Sequence, residues 1–424
     1  MKDNYDVTVI GSGPGGLAAA IAAKEAGADD VLILERDVEL GGILLQCIHN
    51  GFGVEIFGED LPGPSYAQRY IDQVKDLHID TLLDTMVLDI DSDGQIYATS
   101  DQQGFLHLRS KAIVLAMGCR ERTRAQIRIP GMRPAGVYTA GTAQRWVNVE
   151  GYMPGEQVVI LGSGDIGMIM ARRLTFEGAK VERVLEVMPY LTGLSRNYVQ
   201  CLLDFDITLQ LRHTVKRILG KDRVEAVETV AVDESWNPIP GSEETIPCDT
   251  LLLSVGLIPE NELSLKAGVR LDPVTGGPYV DESYQTTVPG IFAAGNVVHV
   301  YDLVDWVTEA GFVAGKQAAH YAMGTSSVTV ERYIPTAAGE NIRYVVPHQV
   351  NPERLTEDEV RLQMRVTEPL EQPVWVQVHD GETLITRRGA RYARPGEMVN
   401  ISLRGRDYDR VRNAQTLQVS VVPR

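Results

Sequence analysis

Apolar residues along this chain fall into short runs, several of which are followed by a glycine-rich turn and then by a longer, alanine-rich or amphipathic segment. The run 5–10, the turn 11–16 and the segment 17–26 predict a buried strand, a tight turn and a helix. The same order recurs around a second glycine turn at 162–167. Two copies of one strand–turn–helix unit indicate a duplicated domain.

Each copy carries an acidic residue at the end of its second apolar run, Glu35 in the first and Glu186 in the second. The copies are offset by 151 residues whether their first glycines, third glycines or glutamates are compared. In such units the glycines let the backbone approach a pyrophosphate, the helix N-terminus supplies N–H donors, and the acidic residue can accept hydrogen bonds from a ribose diol. We therefore predict two dinucleotide sites. Their turn residues are Gly11, Ser12, Gly13, Pro14, Gly15 and Gly16 in the first copy, and Gly162, Gly164, Asp165, Ile166 and Gly167 in the second.

Three further apolar strands are followed by short turns that we expect near these sites. The turn residues are Ala116, Met117 and Gly118, then Gly256, then Gly295 and Asn296. A helix is predicted over 302–322, with Asp302 as its N-cap. Beyond residue 326 the apolar positions alternate, for example over 360–366 and 417–422, and this period is typical of strands.

These elements predict an α/β fold with two Rossmann-like dinucleotide-binding domains and a C-terminal all-β domain that resembles a sandwich. Proline and glycine are frequent over 129–141, where we expect the chain to cross into its second domain. We expect the first dinucleotide-binding domain to comprise 1–128 and 272–325, the second 129–271, and the β domain 326–424.

Composition narrows the classes of function. The chain has 424 residues, of which 44% are hydrophobic and 23% charged, as in a soluble protein of two or three domains. Its net charge of −17 argues against nucleic acid or an anionic membrane as a partner. We expect a cytoplasmic protein, since neither a transmembrane stretch nor a signal-peptide pattern is present. The four cysteines are too scattered for a Cys-x-x-Cys pair or a metal site, so no metal is expected.

The ordered set of motifs resembles the two-dinucleotide-binding-domain flavoproteins related to glutathione reductase and NADH oxidase, over about residues 5–325. The resemblance implies FAD on the first unit and a nicotinamide dinucleotide on the second, with Gly295 and Asn296 at the FAD ribityl chain and phosphates. Asn296 stands where most relatives carry an aspartate. Further cofactor contacts are implied for Arg36, Gly41, Gly42, Ile43, Gln46, Asp302 and Val304. The helix that begins near Asp302 is implied to point at the flavin, which would put His299, Asp305 and Trp306 within reach of it.

Glu186 favours NADH over NADPH. A carboxylate suits a free 2′-hydroxyl and repels a 2′-phosphate, and such a contact between like charges costs about 1–4 kcal/mol. Arg183 lies earlier on the same strand, so it does not offset this preference in our prediction.

Three stretches, 45–53, 118–122 and 138–144, bear a closer resemblance to one branch of this superfamily. They are similar to the FAD/NAD-binding subunits of opine, proline and cyanide-forming dehydrogenases, and to the oxidoreductase associated with bacterial glycerol-3-phosphate dehydrogenase. This implies a subunit that relays electrons between a nicotinamide and a second flavoprotein subunit, bound through the C-terminal domain. An oligomer is therefore expected.

Cys47 and His49 are the candidate catalytic residues. Disulfide reductases of the superfamily carry Cys-x4-Cys after the glycine pair, whereas this chain has only Cys47 there, so we expect no redox-active cysteine pair. A single exposed thiol of low pKa could still act on peroxides or disulfides, although a free cysteine is more often a small buried apolar residue. His49 is equally open to a structural interpretation.

Three functions follow from these observations. The leading one is an FAD-dependent NADH oxidoreductase that exchanges electrons with a partner subunit. The second is an NADH oxidase, peroxidase or thiol reductase that works through Cys47. The third is a cofactor-holding scaffold whose β domain mainly binds a partner.

Overall fold

The protein is described by a computed structural model over residues 2–325 and 330–424. It comprises two compact units, one formed by Met1–Cys119 with Pro259–Arg424 and the other by Arg120–Ile258.

The first unit opens with the predicted strand, glycine turn and helix. Its elements up to residue 118 are β1 (Asn4–Ile10), α1 (Pro14–Glu25), β2 (Val31–Leu34), α2 (Gly63–Asp76), β3 (Asp80–Leu82), β4 (Thr85–Ile90), β5 (Gln95–Ser100) and β6 (Gly104–Leu115). The sheet runs in the order β3-β2-β1-β6-β5-β4. β3 pairs in parallel with β2, β2 with β1, and β1 with the second half of β6. β4, β5 and the first half of β6 form an antiparallel meander.

The second unit repeats this plan. The elements are β7 (Cys119–Glu121), α3 (Arg124–Ile127), β8 (Val137–Thr139), α4 (Ala140–Arg145), β9 (Gln157–Leu161), α5 (Asp165–Phe176), β10 (Lys180–Glu186), α6 (Ser195–Cys201), β11 (Leu209–Leu211), β12 (His213–Leu219), β13 (Ala226–Ala231), β14 (Glu244–Pro247), β15 (Thr250–Leu253) and β16 (Leu257–Pro259). Its five-stranded sheet has the order β11-β10-β9-β15-β8, and all pairings are parallel. Between β11 and β15 in the sequence, β12, β13 and β14 form a smaller antiparallel sheet.

The chain then returns to the first unit through α7 (Glu262–Lys266), β17 (Ile291–Ala293) and α8 (Val304–Met323). β17 extends the first sheet beside β6 and runs parallel to it. α8 packs closely on α1. A Cβ atom at Gly311 would lie only 2.3 Å from the Gly15 carbonyl oxygen, and one at Gly315 would lie 2.0 Å from the Ala19 carbonyl oxygen. These two glycines allow the helices to approach each other.

The remaining residues form two facing sheets with an apolar core between them, as predicted. The elements are β18 (Ile334–Ala338), β19 (Ile342–Val346), β20 (Gln349–Val350), β21 (Val360–Val366), β22 (Val374–Asp380), β23 (Thr383–Ala390), β24 (Val399–Leu403), α9 (Tyr408–Asn413) and β25 (Leu417–Pro423). One sheet has the order β20-β18-β25-β22-β23 and the other β19-β21-β24. The predicted α/β fold with a strand-rich C-terminal domain is confirmed, with the short helix α9 as an addition. The boundary predicted at residue 326 lies outside the described residues.

Polar contacts attach this C-terminal domain to the rest of the first unit. The buried Asp281 carboxylate accepts a hydrogen bond of 2.9 Å from the Tyr333 hydroxyl. The His348 ring accepts one from the Val280 N–H and lies 2.9 Å from an Asp272 carboxylate oxygen. The chain therefore holds this domain through satisfied buried groups, whose loss would be costly.

The packing of α8 on α1 gives a first prediction. Gly315→Ala should lower the free energy of unfolding by about 1–3 kcal/mol, because the added methyl group has to displace backbone rather than a mobile side chain. Thermal unfolding of the two proteins measures the effect. Val313→Ala, which trims an exposed side chain of the same helix, is the matched control and should stay within about 0.5 kcal/mol of the parent. Equal stability of the Gly315 variant and the parent would contradict the close packing.

Candidate functional site

The first glycine turn joins β1 to α1 and has no room for side chains at two of its glycines. Gly11 has a φ of +99°, and a Cβ atom there would lie 2.5 Å from the Ala116 carbonyl oxygen. A Cβ atom on Gly16 would lie 1.9 Å from the Gly11 oxygen. At Gly13, in contrast, the space within 4 Å is open. The turn therefore presents bare backbone at the N-terminus of α1, where a phosphate would be stabilised.

Glu35 anchors this turn from the end of β2. Its Oε2 atom accepts hydrogen bonds of 2.8 Å from the Ser12 N–H and 2.6 Å from the Ser12 hydroxyl. Its Oε1 atom accepts one of 2.8 Å from the Asp37 N–H. A carboxylate has about four acceptor positions, so these bonds leave room for one further donor. The buried charge of Glu35 is thus stabilised by the turn that it fixes.

The second turn reproduces this network. Glu186 Oε2 accepts hydrogen bonds of 2.9 Å and 2.7 Å from the N–H and hydroxyl of Ser163, and Oε1 accepts one of 2.9 Å from the Met188 N–H. The Thr192 hydroxyl adds a further donor to Oε2 at 2.9 Å. Glu186 therefore has four donors, one more than Glu35, with three of them on Oε2 and one on Oε1. The duplication therefore extends from the backbone to individual hydrogen bonds.

The sequence analysis missed four residues that shape the second turn: Ser163, Thr192, Gly193 and Ser254. Thr192 and Gly193 stand 151 residues after the predicted Gly41 and Gly42, as Ser163 does after Ser12. The offset that revealed the repeat could therefore have identified these three. Ser254, whose hydroxyl accepts a hydrogen bond of 3.1 Å from the Gly167 N–H, follows β15 and carries no such signal.

The structure brings most of the predicted first-site residues around one turn. Gly41 N–H donates to the Ser12 carbonyl over 3.1 Å, and a Cβ atom on Gly42 would lie 2.9 Å from the Gly13 Cα atom. The Ala294 N–H donates to the Leu115 carbonyl, which sets the 295–296 turn beside the 116–118 turn. The other predicted residues differ in burial and backbone conformation. Gln46 is buried, Arg36 is exposed, Met117 is partly buried, Gly118 has a positive φ, and Val304 is the first residue of α8.

In the second unit the predicted residues take different roles. Asp165 is the first residue of α5, and its carboxylate accepts hydrogen bonds of 2.8 Å from the Leu194 N–H and 2.6 Å from the Asn197 side chain. Ile166 packs partly buried against the core. A Cβ atom on Gly162 would lie 2.0 Å from the Ser254 oxygen, so this glycine is sterically required. Gly164 is the N-cap of α5, and Gly256 has a φ of +100°.

The interpretation of Asp302 as a helix cap is wrong. α8 begins at Val304, and Leu303 occupies the N-cap position without a side-chain hydrogen bond. The Asp302 carboxylate instead pairs with Arg365 and accepts a hydrogen bond from the Met398 N–H. Both partners belong to the C-terminal domain, which therefore holds the segment that leads into α8.

The nearby His299 is fully buried, and this burial lowers the pKa of its imidazole to about 3. Its ring lies 4.2 Å from that of Tyr301, and Nδ1 is 3.5 Å from the Tyr344 hydroxyl. His299 is therefore neutral at physiological pH and cannot serve there as a cationic proton donor.

Cys47 follows a 3₁₀ turn over Gly42–Gln46, and its thiol donates to the Ile43 carbonyl over 3.3 Å. Part of the side chain reaches the surface, yet the atoms packed around it exclude enough water to raise the pKa of the thiol to about 12. His49 is partly buried, with Nδ1 2.9 Å from the Asn50 carbonyl oxygen and its ring 5.1 Å from that of Phe52.

The match to known proteins agrees with this geometry. A family model described as pyridine nucleotide-disulphide oxidoreductase matches residues 5–323. The chain belongs to this family of FAD- and NAD(P)H-dependent oxidoreductases, as its motifs predicted.

Relatives and solved structures resemble the chain at moderate identity. One subunit of the opine oxidase of Agrobacterium tumefaciens is 25% identical over 342 residues, which cover 76% of this chain and 66% of that protein. The CoA-dependent NAD(P)H sulfur oxidoreductase of Pyrococcus abyssi is 28% identical over 363 residues, which cover 80% of this chain and 76% of that protein. The crystal structure of T. acidophilum thioredoxin reductase matches 77% of this chain and 100% of its own, with a TM-score of 0.63 and 22% identity. The last comparison shows the fold alone.

The residues around the first turn fit FAD. Bare backbone at Gly13 leaves space at the N-terminus of α1, and Glu35 keeps one acceptor position for a hydroxyl. Ile43, next to Gly42, is 55% exposed and offers apolar surface that a planar ring could cover.

None of the helices in the described part has the length and apolar character needed to cross a membrane.

The pKa of Cys47 gives a second prediction. At pH 8 its thiolate fraction should be on the order of a thousandfold smaller than that of an ordinary cysteine, because burial favours the neutral thiol. Alkylation by iodoacetamide, followed by mass spectrometry of the peptide, should therefore be slow at pH 8 and rise steadily up to pH 10. The Cys47→Ser variant identifies the background from the other cysteines. A rate that reaches a plateau below pH 8 would contradict this pKa.

Proposed function

We propose that this protein is an FAD-dependent NADH oxidoreductase that transfers hydride between NADH and FAD and exchanges electrons with a partner dehydrogenase subunit. The observation that carries the proposal is the repeated network in which a buried glutamate and a serine fix a bare glycine turn, Glu35 with Ser12 and Glu186 with Ser163. Two such turns in one chain provide places for two dinucleotides.

FAD is assigned to the first turn, in a domain of residues 1–128 and 272–325. The support is the return of the chain through β17, which adds Gly295 and Asn296 to the rim of this turn. The Asn296 side chain accepts a hydrogen bond of 3.0 Å from the Tyr301 N–H, so it stabilises the turn as an aspartate would without adding a charge. The nicotinamide dinucleotide is assigned to the second turn, in residues 129–271.

The bound flavin supplies the hydride chemistry, and the chain's own residues bind and orient the cofactors. The N-terminus of α8 begins close to the 295–296 turn and contributes a partial positive charge there. The Asp302–Arg365 ion pair positions the segment that leads into this helix. The C-terminal domain thus helps to fix one side of the proposed flavin site.

NADH is favoured over NADPH on electrostatic grounds. Glu186 is 3% exposed and its carboxylate is fixed by four donors, so it cannot easily swing away from a 2′-phosphate. Arg183, three residues earlier on the same strand, is engaged by Glu244 at 2.6 Å and Gln210 at 2.8 Å. A negative site whose neighbouring arginine is already paired is suited to a ribose diol.

The partner is proposed from the relatives. One of them is named a subunit of an opine oxidase, and it matches this chain over 66% of its own length. In this proposal residues 326–424 bind the partner subunit.

A second candidate function uses Cys47 as the single thiol of a peroxidase or thiol reductase. The similarity to a CoA-dependent NAD(P)H sulfur oxidoreductase favours it. The raised pKa of Cys47 weighs against it, because the thiolate is the reactive species. A Cys47→Ser enzyme that loses peroxide or disulfide turnover but keeps NADH-dependent dye reduction would establish this function.

The third prediction concerns the nicotinamide. Anaerobic NADH should bleach the flavin absorbance of the purified holoprotein at about one equivalent. NADPH should be weaker by roughly fivefold to almost a thousandfold, which corresponds to the 1–4 kcal/mol of a like-charge contact. Titration with each nucleotide measures both. Flavin that neither nucleotide reduces would favour the scaffold function, and equal affinities would overturn the NADH preference.

The fourth prediction separates the two sites with a matched pair of variants. Ser12→Ala should lower the flavin-to-protein ratio after dialysis, because Glu35 loses one of its donors and the turn loosens. Ser163→Ala should keep the flavin and raise the Kd for NADH about ten- to hundredfold, as for a lost hydrogen bond to a charged group. Absorbance ratios and rapid mixing measure these effects. If Ser163→Ala lost the flavin while Ser12→Ala kept it, the assignment of the two cofactors would be reversed.

A further inference from the structure

Charge is distributed unevenly between the C-terminal domain and the rest of the chain. Residues 330–424 contain 14 arginines, no lysine and 13 acidic residues, for a net charge of +1. Residues 1–329 contain 26 basic and 44 acidic residues, for a net charge of −18. An arginine-only composition favours surfaces that recognise carboxylates, since the guanidinium group offers a rigid fork of donors.

Two of these arginines stack on one tryptophan of the five-stranded sheet of this domain. The Arg387 and Arg424 guanidinium carbons lie 4.4 Å and 4.2 Å from the centre of the Trp375 ring. Gly389 pairs with Trp375 across β22 and β23, and a Cβ atom on it would lie 1.4 Å from an Arg424 nitrogen. A glycine in the middle of a strand is unfavourable, so its presence here marks a place where another group comes close. We call Trp375, Arg387 and Arg424 the arginine–tryptophan face.

The cations of this face are not neutralised within the described chain. Among residues 2–325 and 330–424, neither Arg387 nor Arg424 forms an ion pair with a carboxylate. Gln377 and Ser420, which are paired neighbours on the same side of the sheet, carry no charge. Stacked, exposed guanidinium groups keep their donors available for an acidic partner.

A complementary surface lies on the first sheet of the same unit, outside the C-terminal domain. Residues 76–108 contain seven aspartates and neither lysine nor arginine. On the outside of the β4–β5–β6 meander, Met86, Leu88 and Phe105 are 48%, 43% and 67% exposed. The Tyr97 ring lies 6.2 Å from that of Phe105. Asp89, which is exposed and pairs with Tyr97 across β4 and β5, lies on the same side. We call Met86, Leu88, Asp89, Tyr97 and Phe105 the acidic aromatic face.

We propose that the arginine–tryptophan face of one copy of this chain binds the acidic aromatic face of a second copy. Aromatic residues, methionine and arginine are the types enriched at protein interfaces, and the two faces supply them with opposite charge. The partner is a second copy because the same chain carries both of these complementary surfaces.

The contact joins two different surfaces, so it is heterologous. Each copy keeps one free face after pairing, and the assembly either closes into a ring or continues to grow. Attraction between exposed charges weakens within a Debye length of about 8–10 Å, so the association should fall as salt rises. This inference concerns assembly between copies and does not rest on the electron transfer proposed above, although both proposals assign a contact to the C-terminal domain.

Complementation of two variants tests the contact in the FAD-loaded protein by sedimentation velocity. Arg387→Glu removes one face and Phe105→Asp removes the other, so each variant alone should associate at least about tenfold more weakly than the parent. Mixed together, they should form a one-to-one dimer that grows no further, because each supplies the face that the other lacks. The flavin-to-protein ratio and NADH reduction of both variants should remain those of the parent.

Arg406→Glu is the matched control, since it makes the same charge change at an exposed arginine of the same domain outside this face. It should associate as the parent does. A parent that remains monomeric at low salt would overturn the proposal. A mixture of the two variants that stays monomeric while the parent associates would also overturn it.

Discussion

The hydrogen bonds between a buried glutamate and the serine of a glycine turn are the constraint on which the rest of this structure depends. A carboxylate without partners would be too costly to bury at the ends of β2 and β10. Ser12 and Ser163 supply both a backbone and a side-chain donor, and this fixes the turn in which no side chain fits at Gly11 or Gly162. The same bonds therefore stabilise the fold and keep bare backbone at the helix N-termini.

The C-terminal domain takes part in this arrangement through charged contacts with α8 and the segment before it. Arg365 pairs with Asp302 ahead of the helix, and Arg361 pairs with Glu309 one turn into it. Arg365 is largely buried, and the pKa of its guanidinium is raised by Asp302 although burial opposes this. Removing one partner of such a buried ion pair is strongly destabilising, because the other charge is left buried without compensation. The geometry at the start of α8 thus depends on strands that lie more than fifty residues later in the sequence.

The sequence could predict features that are local or repeated. It could not predict side-chain partners and pKa values that depend on residues distant in the sequence. Glu35, Glu186 and the glycines were found because strand, turn and helix are encoded within about thirty residues. Asp302 was assigned to the wrong partner, since an aspartate before a helix is typical of an N-cap and nothing nearby reveals Arg365. The pKa of Cys47 depends on how the chain packs around the sulfur, which spacing does not determine.

A comparison of the two turns identifies the positions at which the copies diverged. Positions that fix the turn are unchanged at the offset of 151: Ser12 matches Ser163, Glu35 matches Glu186 and Gly42 matches Gly193. Gly41, however, corresponds to Thr192, whose hydroxyl adds a third donor to the oxygen that Ser163 already contacts. Oε1 of each glutamate accepts one hydrogen bond from a backbone N–H, so each carboxylate keeps an acceptor position for a ribose hydroxyl. The network that holds each turn has been kept, and in the second copy Thr192 adds a donor to the oxygen that fixes the turn.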